Sequence, residues 1–446
     1  MKLAGPGFSR WVVSGALAAL VASGGVSAQE GKAPPARSPI ARFANGFTLD
    51  ESKAAVAERN LSAWLAGGDV SVWLNLRTSE SLPTAVVPNR QPPRALPLAI
   101  NPAIGRIKAD TGRLGTLTLD QFMVHPEGYA QAFIVVHHGQ VVYEKYVGMQ
   151  PTDNHLWMSV AKTLPGLVIE QLVSAGKIDQ DKTIGSYLPA LRGSGWENVK
   201  VRDVMDMTPG LDSEENKDTR ANPDSIAVRV FRAEFGMPYK DKPENLLDVL
   251  KDAKKQREPG LTFDYGSPCT EVLVYLAEAV TGERWSQYVD HHIWSKLGTE
   301  APLLVSTTPD GVAIAHGIVS SRLRDVARFG MLYTPSWNKV ASEQVVTPEI
   351  LERIRKGVRS REFFRKGFDG PIFVDWLRDD AMTSNSQQWD AIWPDGDMWK
   401  SGLMAQGLYV SPKRDLVIAY FSVNTDASMI NRFVRPIVTS GMFGGK

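Results

Sequence analysis

A single cysteine, Cys269, stands in 446 residues, so no intramolecular disulfide forms and the fold cannot rest on a cross-linked framework. Cys269 precedes the apolar run Glu271 to Ala277, which reads as a packed helix, so its thiol is expected to be buried and inert. An excess of one charge is also missing: 50 Lys and Arg face 49 Asp and Glu, and no long basic run occurs. That excludes the concentrated cationic footprint of a nucleic-acid partner. Beyond the N-terminus no segment reaches the roughly 18 uninterrupted apolar residues of a membrane-spanning helix, so no stable span is expected. The seven histidines include no His-Glu-x-x-His pair, so neither a metal nor any other cofactor is expected.

What is present is an ordinary globular composition, 43% hydrophobic and 22% charged, long enough for a large core. Lys2 and Arg10, the apolar run Trp11 to Ala22 and Val26-Ser27-Ala28 have the layout of a secretory signal with cleavage after Ala28. An exported, bacterial periplasmic protein is the expectation, with an uncleaved anchor as the alternative. Residues 29 to about 45, rich in Ala, Pro, Gly and Arg, read as a mobile leader. A helix over Glu51 to Leu65 and a looped Pro88 to Pro97 follow, with no activity legible in them.

From Ala132 the pattern sharpens. Ala132 to His137, the turn His138-Gly139 and Gln140 to Tyr146 predict a β-hairpin. Ser159 to about Ala175 predicts a helix stopped by Gly176 and kinked at Pro165. Helices are expected at Val201 to Met207, Asn245 to Ala253, Pro268 to Val280, Trp285 to Leu297 and Leu323 to Leu332. Strands return at Gly407 to Val410 and Leu416 to Phe421, and a closing helix is expected over Met429 to Met442. Strands at both ends with helices between them imply one sheet assembled from distant segments, beside a helical lobe.

The chemistry concentrates in three short boxes. Ser159-Val160-Ala161-Lys162 places a hydroxyl and an amine one helical turn apart, a nucleophile with a base, provided the Lys162 pKa is depressed. The same spacing at Ser174 to Lys177 and Ser336 to Lys339 shows that the pattern alone does not decide. Phe263-Asp264-Tyr265-Gly266-Ser267 holds a phenol in a loop, able to ionise beside an ammonium or to share its proton. In Lys400-Ser401-Gly402-Leu403 the glycine permits close backbone approach, the lysine can anchor an anionic or carbonyl group, and the following N–H can face an oxyanion. Trp376, Trp389, Trp393 and Trp399, with Asp390, Asp395 and Asp397, either line a pocket for an apolar chain with a cationic end or simply cover the sheet. His316 either borders the cleft or is an ordinary hydrogen-bonded histidine.

In this order the boxes resemble the serine β-lactamase and penicillin-binding superfamily, in particular its esterase and 6-aminohexanoate-dimer hydrolase branch, related to class C β-lactamases. The resemblance runs from about Ala132 to Phe443 and includes Met207-Thr208-Pro209-Gly210, Ser321 to Gly330, and Gly402 to Gly407 followed by Tyr409 to Pro412. It implies a β-lactamase/DD-peptidase-like fold of the α/β plus α class, an antiparallel sheet flanked by helices with an inserted all-helical lobe. The domain layout expected from it is 1–28 signal, 29–125 leader and extension, and 126–446 hydrolase. It further implies Ser159 as nucleophile, Lys162 and Tyr265 as the proton-transfer pair, and the backbone N–H groups of Ser159 and Leu403 as oxyanion hole; from the chemistry of the third box and the tryptophans before it, Trp399, Lys400, Ser401 and Gly402 are expected at the substrate. The substrate would be a small amide or ester cleaved through an acyl-enzyme. Ser267, where β-lactamases carry Asn, favours the hydrolase branch over a β-lactamase or D-alanyl-D-alanine carboxypeptidase. A member that binds without turnover is the non-enzymatic alternative.

Overall fold

Seven strands meet in one antiparallel sheet: β1 (Ala130–His137), β2 (Gln140–Tyr146), β3 (Ser384–Ser386), β4 (Trp389–Ile392), β5 (Met398–Gly402), β6 (Gln406–Ser411) and β7 (Leu416–Ser422). Their spatial order is β3-β4-β5-β6-β7-β1-β2, so the C-terminal β7 pairs with β1, Ala419 opposite Ile134. The computed structural model describes residues 37–444 except Asp380; the signal reading of residues 1–28 lies outside the described residues. The expected hairpin is β1-β2, turning at His138 and Gly139, both with positive φ. β6 and β7 are buried along their whole length, which explains why they read as unbroken apolar runs rather than as alternation.

Between β2 and β3 the chain builds the helical lobe, whose principal elements are α1 (Thr163–Ser174), α2 (Ile226–Glu234), α3 (Ser267–Thr281), α4 (Leu323–Met331) and α5 (Asp369–Leu377). α1 and α3 pack on each other, and α4 lies across β7 and β1. Cys269 is fully buried in α3, where desolvation holds its thiol well above the usual range.

Several expectations are corrected. Pro165 is the third residue of α1, in the first turn where backbone N–H groups have no intrahelical acceptor, so no kink is required. Glu51 to Leu65 is two helices, Leu49–Glu58 and Leu61–Leu65, the first opened by a capping box between Thr48 and Glu51. The closing segment is likewise two short helices, Ser428–Asn431 and Val434–Val438. Residues 37–45, expected in the leader, are packed: Ile40 and Phe43 are buried in a 3-10 turn, Ile40 lying against Gly148.

The segment before β1 is built into the body. Thr84–Val87 pairs with Leu303–Ser306 in a second sheet that continues through Val319–Ser321 to His155–Leu156. The Pro-rich stretch ends on the free edge of β2, where Ala99 and Asn101 donate to the carbonyls of Val141 and Val142. That covers an edge otherwise open to pairing with another chain.

Candidate active site

Ser159 stands where the second sheet runs out into a turn. The Trp157 backbone N–H donates to the Val319 carbonyl and its indole N–H to Ser321 Oγ, both at 2.8 Å. Met158 then adopts φ +48°, a left-handed conformation that costs a bulky residue about 1–2 kcal/mol and reverses the chain. The reversal opens the 3-10 turn Met158–Lys162. In 3-10 geometry residues three apart eclipse, so the Lys162 amine lies under the Ser159 hydroxyl, Nζ to Oγ 3.2 Å.

Lys162 is fully buried, and its Nζ also donates to Ser267 Oγ and to the His316 carbonyl, each at 3.0 Å. Those three acceptors use the three donors of an ammonium. Burial lowers the Lys162 pKa to about 8; the Glu215 carboxylate opposes that shift and the Lys400 ammonium adds to it. Neutral amine is therefore accessible near neutral pH.

Tyr265 is held by a tightly bonded loop. Its neighbour Asp264 pairs with Arg257, accepts from Thr262 Oγ1 at 2.9 Å, and donates its N–H to the Met207 carbonyl at 2.7 Å. The phenol ring lies between two amines, 5.3 Å from Lys162 Nζ and 4.7 Å from Lys400 Nζ. Burial pushes its pKa well above 10; Asp390 and Glu215 add to the shift, and a hydrogen bond with Ser159 opposes it. The ionised phenol admitted by the sequence is thus disfavoured: Tyr265 is a neutral O–H, chemically a donor.

The third box is turned inward. Lys400, on β5, has no exposed surface and is ion-paired with Asp390 on β4. The other Asp390 oxygen accepts the Ser401 N–H at 2.9 Å and its hydroxyl at 2.6 Å. Trp399, expected at the substrate, is also fully buried; its N–H donates to Tyr420 Oη at 3.1 Å and its ring meets Phe373 edge-on. Trp389 and Trp393 are buried too, against Tyr333 and Tyr409, so these three tryptophans cover the sheet. Gly402 packs on the turn that carries Ser159: a Cβ there would stand 2.8 Å from the Trp157 carbonyl oxygen and 3.0 Å from Met158 Cβ. Leu403, next along, is exposed beside that turn.

Two contributors were not read as site residues from the sequence, and a third was read only among the candidates for a pocket. Ser267 Oγ is a partner of Lys162, although the residue had been noted only as a departure from Asn. Glu215 accepts the Ser267 N–H at 2.6 Å; burial would raise its pKa, but Arg220, Lys162 and that N–H hold it down at about 2. Asp390 binds the third box. The acidic run Asp212 to Glu215 after the Met207 turn was the available signal for Glu215, and the β4–β5 pairing for Asp390.

Behind Lys162, Glu234, Glu271 and His316 bring their ligand-type atoms within 4.8 Å of one another, the geometry of a metal-holding group. His316 Nε2 lies 3.0 Å from Glu234 Oε2, and the His316 N–H donates to Glu271 Oε1 at 3.1 Å. Burial raises Glu271 to about 8, raises Glu234 well above the usual carboxylate range, and lowers His316 to about 4. Neutral partners favour a hydrogen-bonded cluster that holds the His316 carbonyl on Lys162.

The profile of the Beta-lactamase family matches residues 119–432. The chain belongs to that family. It is 28% identical over 376 residues to the 6-aminohexanoate-dimer hydrolase of Paenarthrobacter ureafaciens, covering 83% of this chain and 89% of that one. A solved Bacillus anthracis protein, provisionally named a 6-aminohexanoate-dimer hydrolase, shares the fold with a TM-score of 0.69 at 22% identity, over 84% of this chain and 96% of the other. The β-lactamase/D-alanine carboxypeptidase of Yersinia pestis matches with a TM-score of 0.54 at 16% identity, over 72% and 96% of the two chains. The protein is thus a serine hydrolase with a β-lactamase/DD-peptidase-like fold, as the ordered boxes implied. Among the described residues no helix is long and apolar enough to cross a membrane.

Proposed function

We propose that this Beta-lactamase-family enzyme cleaves a small amide or ester through an acyl-enzyme on Ser159. The observation that carries the reading is Lys162: buried, lowered to about 8, and 3.2 Å from Ser159 Oγ. Neutral Lys162 takes the Ser159 proton as Oγ attacks the carbonyl carbon. The N–H groups of Ser159 and Leu403 receive the oxyanion. Tyr265, protonated and between both lysines, donates to the leaving group and is refilled from the Lys162 ammonium. Water then enters by the reverse transfers and releases the acid. Likeness to the 6-aminohexanoate-dimer hydrolase over most of both chains supports an amide of an aminoalkanoic acid as the first substrate to try. The N-terminal signal pattern supports action in an exported compartment, the bacterial periplasm.

The test is turnover of p-nitrophenyl butyrate, an aminohexanoate amide dimer and nitrocefin by the wild type and Ser159→Ala. Hydrolysis of ester or amide that depends on Ser159, with nitrocefin spared, is expected. Rapid nitrocefin opening would instead assign a β-lactamase, and equal rates in the variant would remove Ser159 from the chemistry.

Two further results are expected. Because only neutral Lys162 accepts a proton and its folded pKa is about 8, kcat/KM should rise with pH and level off above about 8. A profile flat from pH 6 to 9 would exclude Lys162 as base. Tyr265→Phe should lower kcat by about 10²-fold, the lower end for loss of a positioned proton donor, because Lys162 still activates Ser159. The loss should be greater for an amide than for a p-nitrophenyl ester, whose leaving group needs no proton.

A further inference from the structure

Lys400 stands next to the proposed leaving-group donor, yet its charge is already engaged. Its Nζ lies 4.7 Å from the Tyr265 ring centroid, has no exposed surface, and faces Asp390, itself buried. Asp390 is anchored independently of Lys400 by the N–H and hydroxyl of Ser401, so swinging the carboxylate away would break two further hydrogen bonds. Around Tyr265 both amines already face carboxylates: Asp390 pairs with Lys400, and Glu215 supports the charge on Lys162. A carboxylate carried by a leaving group beside Tyr265 would meet these acidic groups and a lysine that already has its counter-ion. Desolvating such a substrate charge without a free partner opposes binding.

We propose that Asp390 is a specificity-determining residue: it holds Lys400 in a buried ion pair and thereby directs the enzyme to substrates with an uncharged or cationic group next to the scissile bond, against those with a carboxylate there. The inference rests on Ser159 and Tyr265 acting as described above. It assigns the β4–β5 pair a part in selection rather than in bond cleavage.

The experiment uses two butyryl thioesters that differ only in the leaving group, thioglycolate or its methyl ester, with release of free thiol measured. Wild type is expected to favour the methyl ester by about tenfold in kcat/KM. Asp390→Asn keeps an acceptor for Ser401 but frees the Lys400 charge; it should shift that ratio by about tenfold toward thioglycolate, through KM more than kcat. Adding Lys400→Met to Asp390→Asn should return the wild-type preference. A wild type that prefers thioglycolate, or a folded Asp390→Asn with an unchanged ratio, overturns the proposal. If Asp390→Asn fails to fold, the double variant, which buries no charge, decides. Its ratio should stay within about threefold of wild type, and a selective loss of thioglycolate turnover would mean that Lys400 had been reading the carboxylate all along. Absence of Ser159-dependent thiol release from both thioesters would sink the hydrolase reading itself, an outcome distinct from a wrong ratio.

Discussion

Lys162→Ala is expected to lower kcat by about 10³-fold or more while the protein remains folded, the loss reported for removing a positioned general base. The amine contacts Ser159 Oγ, Ser267 Oγ and the His316 carbonyl. Its loss leaves Ser159 with no neighbour matched to its proton and strands two acceptors in a dry interior. The fold should survive, because truncation also removes the cost of burying a cation, which is the cause of the pKa shift itself. Folding is checked by circular dichroism and chemistry by fluorophosphonate labelling of Ser159, which should slow in parallel with turnover. Substantial turnover in the variant would remove Lys162 from the mechanism. Ser159→Ala should abolish turnover and labelling together, and Lys162→Ala should add nothing to it, since both changes disable one proton transfer.

The second large effect is expected at Gly402. A Cβ there would stand 2.8 Å from the Trp157 carbonyl oxygen, 2.9 Å from Gln406 Cβ and 3.0 Å from Met158 Cβ. One is a backbone oxygen and the other two are Cβ atoms fixed directly to their backbones, so no flexible side-chain end can yield and Gly402→Ala must move β5 away from the turn that carries Ser159. Overpacking of this kind costs about 1–3 kcal/mol of stability, seen as a lowered melting temperature. The larger consequence is kinetic: the Leu403 N–H travels with β5, and displacing this proposed oxyanion donor by about 1 Å is expected to lower kcat by about 10²-fold. KM and the pH inflection near 8 should change little, because burial, rather than Lys400 on β5, is the main cause of the Lys162 shift. A fall in KM-dependent binding with unchanged kcat would count against Leu403 as a donor.

These two residues mark how far the sequence could be read. Ser159 and Lys162 are three apart, a relation that local backbone geometry carries unaided, although the turn is 3-10 rather than the expected α-helix. The hairpin β1-β2 was legible for the same reason: a positive-φ turn between two β-rich runs is a local signal. Gly402 was legible as a close-approach glycine, but not what it approaches, because Trp157 is 245 positions away in the sequence. The tryptophans before Lys400 were ambiguous between pocket and cover. Burial decides that question, and burial belongs to the assembled sheet.

The order of the three boxes, the residue types within them and the family they indicate were therefore properties of the sequence alone, since each box is a few residues long and shapes its own backbone. The state of those groups was decided only by tertiary structure. Desolvation and distant charges, Glu215 and Lys400 on Lys162 and Asp390 and Glu215 on Tyr265, leave the first with a lowered pKa and keep the second a neutral phenol, the states that the proposed roles require. Asp390 turns Lys400 from an apparent anion anchor into a buried ion pair across two strands. Electrostatic energies depend on separation in space and exclusion of water, and neither is written in the spacing of residues along a chain.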